Sequence, residues 1–295
     1  MINLGDVEAA ARRIDGRVRR TPLIEAEPGR WFKLEYLQHA GSFKTRGMMN
    51  KILSSTVPAA GIVAASGGNA GLAAAYAARE LGVPAEVFVP VTAPAVKVAK
   101  LGKLGAKVVQ VGNEYAEAYA AAMERTGALF FHAYDDPAMV AGNGTLGLEI
   151  ADVSDTVLVA VGGGGLVAGV IAALRDRARI VAVEPATSQA LHTAMKAGRP
   201  VDVPVSGIAA DSLGARRVGD IAFELATAAG IDSILVDDDA IIHARRKLWD
   251  DYRIVVEHGT AAAYAALTSG VYRPAPGERV TVLLCGANTN PADLG

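Results

Sequence analysis

Cysteine occurs once, at Cys285, in a chain of 295 residues. A single thiol rules out an internal disulfide and suits a reducing compartment, so a cytoplasmic location is the expectation. Neither sign of charge is in excess: 29 basic and 31 acidic residues leave a formal charge of -2. Nothing therefore steers the chain to nucleic acid or to an anionic membrane surface. No apolar run reaches the ~18 residues of a membrane span, and the opening MINLGDVEAAARR has no apolar signal core. The histidines (His39, His132, His192, His243, His258) show no metal-ligand spacing with the cysteine. The pattern G-x-x-x-x-G-K-[ST] is missing too, which removes the P-loop.

What is present is apolar and glycine-rich. Hydrophobic residues make up 51% and charged residues 20%, enough for a substantial core, and the 32 glycines are clustered. Residues 5–14 read as an amphipathic helix, Leu23 and Ile24 as extended chain, WFKLEYL (31–37) as a short strand, and Ser42 to Leu53 as a helix. Strands and helices then alternate: GIVAAS (61–66), helix 69–81, AEVFVP (85–90), helix 94–105, AKVVQVG (106–112), helix 113–126, LFFHAY (129–134). Asp135, Asp136 and Pro137 break the pattern, and Gly142, Asn143 and Gly144 are expected to precede a helix. Alternation resumes with DTVLVAV (155–161), a helix to Leu174, ARIVAVEP (178–185) and a helix at 188–196. A loop at 198–213, a helix at 217–228, an Asp-capped helix after 237–239, a helix at 259–267 and a last strand at 279–286 complete the chain. Short strands joined by helices mean an α/β fold with mostly parallel sheets, covered on both faces. The expected organisation is a small α/β unit, 52–137, set inside a larger one made of 1–51 and 138–295.

Three stretches carry candidate chemistry. In GSFKTRG, Lys44 has glycines on both sides and Phe43 beside it, an apolar wall able to lower the amine's pKa, as a Schiff-base lysine needs. SGGNAG (66–71) joins a strand to a helix N-terminus, where free N–H groups attract an anion. GGGGL (162–166) does the same with four glycines, so a phosphate could be wrapped by backbone amides. A dinucleotide reading stays open at this point: Glu184 lies about 20 positions beyond the loop, but the overlapping G-x-G-x-x-G match fails at Ala168.

Taken in order, GSFKTRG, SGGNAG, GGGGL and the terminal LLCGAN resemble the fold-type-II pyridoxal-phosphate enzymes, and within them the serine/threonine dehydratases, particularly the liver type. The resemblance runs from about Arg20 to Asn288. It implies two three-layer α/β domains with the cofactor, pyridoxal 5'-phosphate, between them, bound covalently by Lys44. Phe43 would lie beside the pyridine ring, and Asn69 would bond its 3'-oxygen. Backbone amides of Gly162, Gly163, Gly164, Gly165 and Leu166 would hold the phosphate. Ser66, Gly67, Asn69 and Ala70 would receive the substrate carboxylate, and Cys285 would face the pyridine nitrogen. A neutral partner there makes the ring a weaker electron sink, which favours expulsion of a β-leaving group.

The implied activity is α,β-elimination from L-serine or L-threonine, giving pyruvate or 2-oxobutanoate and ammonia, with Lys44 taking the Cα proton and the cofactor phosphate assisting the hydroxyl's departure. Elimination from another β-hydroxy amino acid such as hydroxyaspartate, a cysteine-synthase-like β-replacement and a non-catalytic ligand-binding protein are the alternatives. Racemisation is disfavoured, because the serine that resembling racemases place before Gly-Asn corresponds to Gly67. The family's divalent site begins at Glu184, but the aspartate expected six residues later is Ala190. A monovalent cation such as K+, held by Glu184 and the Ser188 carbonyl, is the remaining metal expectation. His258 replaces the proline usual after Glu257 and would cap or line the pocket. The chain stops soon after the cofactor-facing strand, so no C-terminal regulatory domain is expected, and the family suggests a homodimer.

Overall fold

In the computed structural model, which describes residues 1–294, helix α1 (Leu4–Ile14) begins at Asn3. The Asn3 side chain accepts the Gly5 and Asp6 N–H groups while the Asp6 carboxylate accepts from Asn3 N–H, a reciprocal cap. β1 (Leu23–Glu27) and β2 (Arg30–Lys33) form an antiparallel pair, and α2 (Lys44–Leu53) follows two short 3-10 turns. A strict alternation comes next: β3 (Ile62–Ala65), α3 (Asn69–Glu80), β4 (Ala85–Val89), α4 (Ala95–Lys103), β5 (Lys107–Gln110), α5 (Tyr115–Met123) and β6 (Leu129–Phe131). α6 (Pro137–Leu148) leads into β7 (Thr156–Ala160), α7 (Gly165–Leu174), β8 (Arg179–Pro185) and α8 (Ala190–Ala197). Then come the one-turn α9 (Ala210–Leu213), α10 (Asp220–Ala229), β9 (Asp232–Val236), α11 (Asp238–Tyr252), α12 (His258–Thr268) and β10 (Val280–Leu283).

The strands form two sheets. Four lie in the order β5-β4-β3-β6, all parallel, and six in the order β1-β2-β10-β7-β8-β9, parallel except for the β1/β2 pair. The first and last strands of the chain thus share the larger sheet. Its central strands are apolar on both sides because each face is covered. Val157, Val159 and Ile180 pack against α7, whereas Leu158, Val181 and Val282 pack against α11 and α12. SGGNAG leaves the carboxyl end of β3, GGGGL that of β7, and Gly286–Asn288 lie just past β10. Ligands favour this end of parallel strands.

Four local expectations change. The run at 31–37 is strand only to Lys33, and a 3-10 turn follows at Glu35–Leu37, because Lys33 and Glu35 are both drawn into a buried ion network. LFFHAY is strand only to Phe131; its last three residues turn instead. Gly142, Asn143 and Gly144 lie within α6 rather than before it, since Asp136 caps that helix with Pro137 in its first turn. Their glycines let helices touch: a Cβ on Gly169 of α7 would lie 2.5 Å from the Gly144 nitrogen of α6. The loop 198–213 ends in α9, which packs against α12.

Candidate active site

Lys44 opens α2, where the chain leaves the turns after β2. Its Nζ donates to the Ala133 carbonyl at 2.6 Å and sits 5.2 Å from the centroid of the Phe43 ring. Burial pulls the amine's pKa down to about 8, with Cys285 acting weakly the other way. The backbone fixes Phe43 and Cys285 together, because Phe43 N–H donates to the Cys285 carbonyl at 3.0 Å, and Ser42 bridges to Gly286. The Cys285 thiol is buried, 3.3 Å from Thr260 Oγ1, and its pKa is pushed up by burial to about 12. It is therefore a neutral group at any working pH. Beside it, the fully buried Ser42 hydroxyl has no hydrogen-bond partner among the described residues.

The tetraglycine loop packs against Tyr134, the neighbour of the Ala133 that holds that lysine. Gly164 adopts φ 91°, and α7 has no side-chain cap. Among the described residues no acceptor meets the N–H groups of Gly162 to Leu166. These donors, together with the helix dipole, form an anion site. Tyr134 supports it from below: a Cβ on Gly163 would fall 2.3 Å from the Tyr134 ring, and one on Gly165 would fall 2.8 Å from the Tyr134 carbonyl. Only glycine can occupy both positions with that ring in place.

Asn69 opens α3 and sits in a directed chain of hydrogen bonds. Its Nδ2 donates to the Glu257 carboxylate at 2.9 and 3.0 Å, and its Oδ1 accepts from Asn288 Nδ2 at 2.7 Å. Asn288 also donates from Nδ2 to the Ala40 carbonyl at 2.8 Å and from its backbone N–H to Glu257 at 2.8 Å. Both ends of the chain, the Ala40 carbonyl and the Glu257 carboxylate, only accept. The orientation of both amides is therefore fixed, and one Asn69 N–H is left to point elsewhere. Ser66 folds the same loop, its Oγ accepting from Gly68 N–H at 3.2 Å. Gly67 is open: a Cβ there would meet nothing nearer than Val89 Cγ1 at 3.6 Å. Ala70 is buried behind the loop.

Glu184 and Ser188 make their hydrogen bonds outside this cluster, although Leu213, which Ser188 holds, lies against Gly162. Glu184, fully buried on β8, accepts the Leu191 and His192 N–H groups at 2.8 and 2.7 Å, so it caps α8. Burial raises its pKa to about 7 against the pull of those bonds. Ser188 Oγ donates to the Leu213 carbonyl at 2.8 Å. No group of three or more His, Cys, Asp or Glu side chains that could hold a metal occurs among the described residues, and no helix there is long and apolar enough to cross a membrane. His258 opens α12 with its Nε2 3.4 Å from Arg245 Nη1.

Sequence reasoning missed three contributors: Glu257, the segment His132–Asp135, and a buried network around Arg46. Arg46 pairs with Glu35 through two nitrogens at 2.6 and 2.9 Å and with Glu149 at 2.7 Å; Lys33 pairs with Glu149 as well. The network fastens the start of α2 to β2 and to the end of α6. A local signal existed for part of it, since Lys33 and Glu35 are charges inside an otherwise apolar run.

Residues 14–286 match the family described as pyridoxal-phosphate dependent enzyme. The chain belongs to that family. Membership brings pyridoxal phosphate as the cofactor. Among relatives, the L-threonine ammonia-lyase of Thermotoga maritima is 36% identical over 98% of this chain and 76% of its own. Among solved structures, the T.th. threonine deaminase superposes with a TM-score of 0.89 at 34% identity, covering 98% of this chain and 99% of that one. The maize serine racemase superposes with a TM-score of 0.92 at 28% identity, covering 99% and 95%.

Proposed function

We propose that this protein is a pyridoxal-phosphate dependent dehydratase that converts L-threonine, L-serine or both to the 2-oxo acid and ammonia. The observation that carries the reading is the Lys44 amine, its pKa lowered to about 8, set among a glycine loop with unpaired N–H donors, a neutral thiol and the oriented Asn69 amide. These groups fit the cofactor. The loop from Gly162 to Leu166 would hold its phosphate, Lys44 its aldehyde carbon, Asn69 its 3'-oxygen and Cys285 its ring nitrogen, and Phe43 would lie beside the ring. When bound, the cofactor supplies the electron sink that makes the substrate's Cα proton acidic.

The chain's own residues do the rest. The loop from Ser66 to Ala70 offers N–H groups at the start of α3 to the substrate carboxylate. Lys44, uncharged in an appreciable fraction near neutral pH, takes the Cα proton as a general base. The β-hydroxyl leaves as water with a proton equivalent to the one Lys44 has taken from Cα, and hydrolysis of the released enamine by a second water yields the 2-oxo acid and ammonia. The Cys285 thiol, with a pKa of about 12, leaves the ring nitrogen without an acid to protonate it, which favours fast loss of the β-substituent. Gly67 places no acid on the face opposite Lys44, so stereochemical inversion at Cα has no second proton carrier in the loop. That separates this chain from racemase chemistry despite the likeness in fold.

The same proposal includes a homodimer, the cytoplasm as its location, and a cofactor cleft between a unit of residues 52–137 and the remainder. A K+ ion at Glu184 and Ser188 would have to share the carboxylate with the α8 N-terminus, whose partial positive charge opposes it. Incubating the enzyme with L- and D-serine, L- and D-threonine and hydroxyaspartate, and reading 2-oxo acid formation, tests the activity. Lys44→Ala should abolish both turnover and the visible absorption of bound cofactor. A variant that keeps that absorption would sink the lysine assignment.

A further inference from the structure

The four residues after β6 touch both Lys44 and the tetraglycine loop, and nothing in the sequence marked them for it. Ala133 gives its carbonyl to Lys44 Nζ at 2.6 Å. Tyr134 lays its ring under Gly163 and donates from its hydroxyl to the Arg217 carbonyl at 3.2 Å. Asp135 accepts the Ile221 and Asp220 N–H groups at 3.1 and 3.2 Å, and so caps α10. The residue just before α10, Gly219, in turn donates to the Gly163 carbonyl at 3.0 Å. A straight continuation of β6 would send alternate side chains to opposite faces and could not make these contacts. Something has to fold the segment.

That something is the His132 side chain. Its Nδ1 accepts the Asp135 N–H at 2.9 Å and lies 3.4 Å from the Tyr134 nitrogen. Backbone N–H groups can only donate, so Nδ1 must carry its lone pair and the ring proton must sit on Nε2. The geometry is that of an Asx-type turn, in which a side-chain acceptor binds the N–H groups two and three residues on. The ring is clamped edge-on by Tyr134, with centroids 4.7 Å apart, and by Tyr119 at 6.5 Å. Burial lowers the His132 pKa, Asp135 opposes this, and the nearby Lys44 charge lowers it further, so the neutral acceptor form is kept.

We infer that His132 is a positioning residue for the cofactor site: its imidazole folds residues 132–135 into the turn that holds the Lys44 amine on one side and the phosphate loop on the other. The inference rests on the pyridoxal-phosphate site proposed above. It requires an acceptor at this position, not an acid or a base. Asparagine, whose Oδ1 accepts in the same turn, should therefore replace histidine, whereas leucine should not.

The test uses purified holoenzyme as wild type, His132→Asn and His132→Leu, reading the pyridoxal phosphate dissociation constant, the position and intensity of the visible band, and the melting temperature. His132→Leu should bind the cofactor about 5- to 10-fold more weakly, with an altered visible band, since the turn loses its hydrogen-bond acceptor. His132→Asn should stay within about threefold of wild type with an unaltered band. A leucine variant identical to wild type, or an asparagine variant as impaired as leucine, overturns the inference. If His132→Leu does not fold, the asparagine variant decides alone: a loss of more than about threefold refutes the acceptor role. Failure of the wild type itself to bind cofactor would instead sink the site reading.

Discussion

Replacing Glu257 by glutamine changes one atom and should disable an orientation device. Both carboxylate oxygens of Glu257 lie within 3.0 Å of Asn69 Nδ2, and one of them also accepts the Asn288 N–H at 2.8 Å. A glutamine can keep its oxygen at the doubly used position, but its NH2 then faces the Asn69 NH2 at about 3 Å. Turning Asn69 over does not help, because its amide would then meet the Asn288 NH2, which Ala40 holds in place. One donor is left facing another in every arrangement. An unsatisfied buried donor costs ~1–3 kcal/mol, so melting should fall by roughly 2–5 °C for a chain of this size. As Asn69 turns away from the cofactor, kcat/KM for the amino acid should fall by up to about 5- to 150-fold. The assays are thermal melting of the holoenzyme, the wavelength of its visible band and initial rates of 2-oxo acid formation. Glu257→Gln with wild-type melting, band and rate would refute the account of the directed chain. Burial also raises the Glu257 pKa, so acid should mimic the substitution by adding a donor to the same carboxyl.

Three other outcomes are expected. Gly163→Ala would put a methyl 2.3 Å from the Tyr134 ring, and overpacking of ~1–3 kcal/mol should weaken pyridoxal phosphate binding by about 5- to 150-fold, measured by equilibrium dialysis; unchanged affinity would detach the loop from the phosphate. Glu184 has a folded-state pKa near 7 against an ordinary 4.5, so the folded state holds its proton more tightly and stability is lost as pH rises from 4.5 through 7. The melting temperature of Glu184→Gln relative to wild type should therefore climb between pH 5 and pH 8, and a constant difference would show that the carboxyl does not titrate there. Gly67→Ser has room, its Cβ 3.6 Å from the nearest atom, and should introduce solvent deuterium at Cα of D-serine; no incorporation would mean that a hydroxyl at this position cannot reach Cα.

What the sequence makes legible is whatever repeats locally. Alternating apolar runs and helical spacing locate most of the elements to within a few residues, because burial on two faces leaves its mark on every residue of a central strand such as β7. The three loops are legible because glycine clusters at strand ends have few other uses. Contacts between distant residues leave no such mark. Lys33 and Glu149 lie 116 positions apart, and Asn69 and Glu257 lie 188 apart, so neither pairing could be read from either residue's neighbours. LFFHAY misleads for the same reason. Its composition suits a strand to the end, and only the side chain of His132, bonding two and three residues ahead, stops it at Phe131.

The motif GSFKTRG contains two cations two residues apart, and the fold treats them in opposite ways. Burial alone would pull the Arg46 guanidinium down, but the Glu35 and Glu149 carboxylates outweigh it and hold the pKa above its ordinary value. Lys44 is also desolvated but has no carboxylate within hydrogen-bonding reach among the described residues; its partner is the neutral Ala133 carbonyl, and its pKa drops to about 8. Removing either carboxylate from Arg46 would leave a buried charge uncompensated, a loss of ~3–5 kcal/mol, so that pair belongs to the architecture and never exchanges protons. Adding a carboxylate beside Lys44 would do the reverse, restoring its charge and removing its use as a base. The short spacing between the two therefore has a purpose. Arg46 fixes the first turn of α2 rigidly to β2 and α6, which lets a single-residue difference in partners decide that Lys44, at the tip of the same helix, is the amine that gives up its proton.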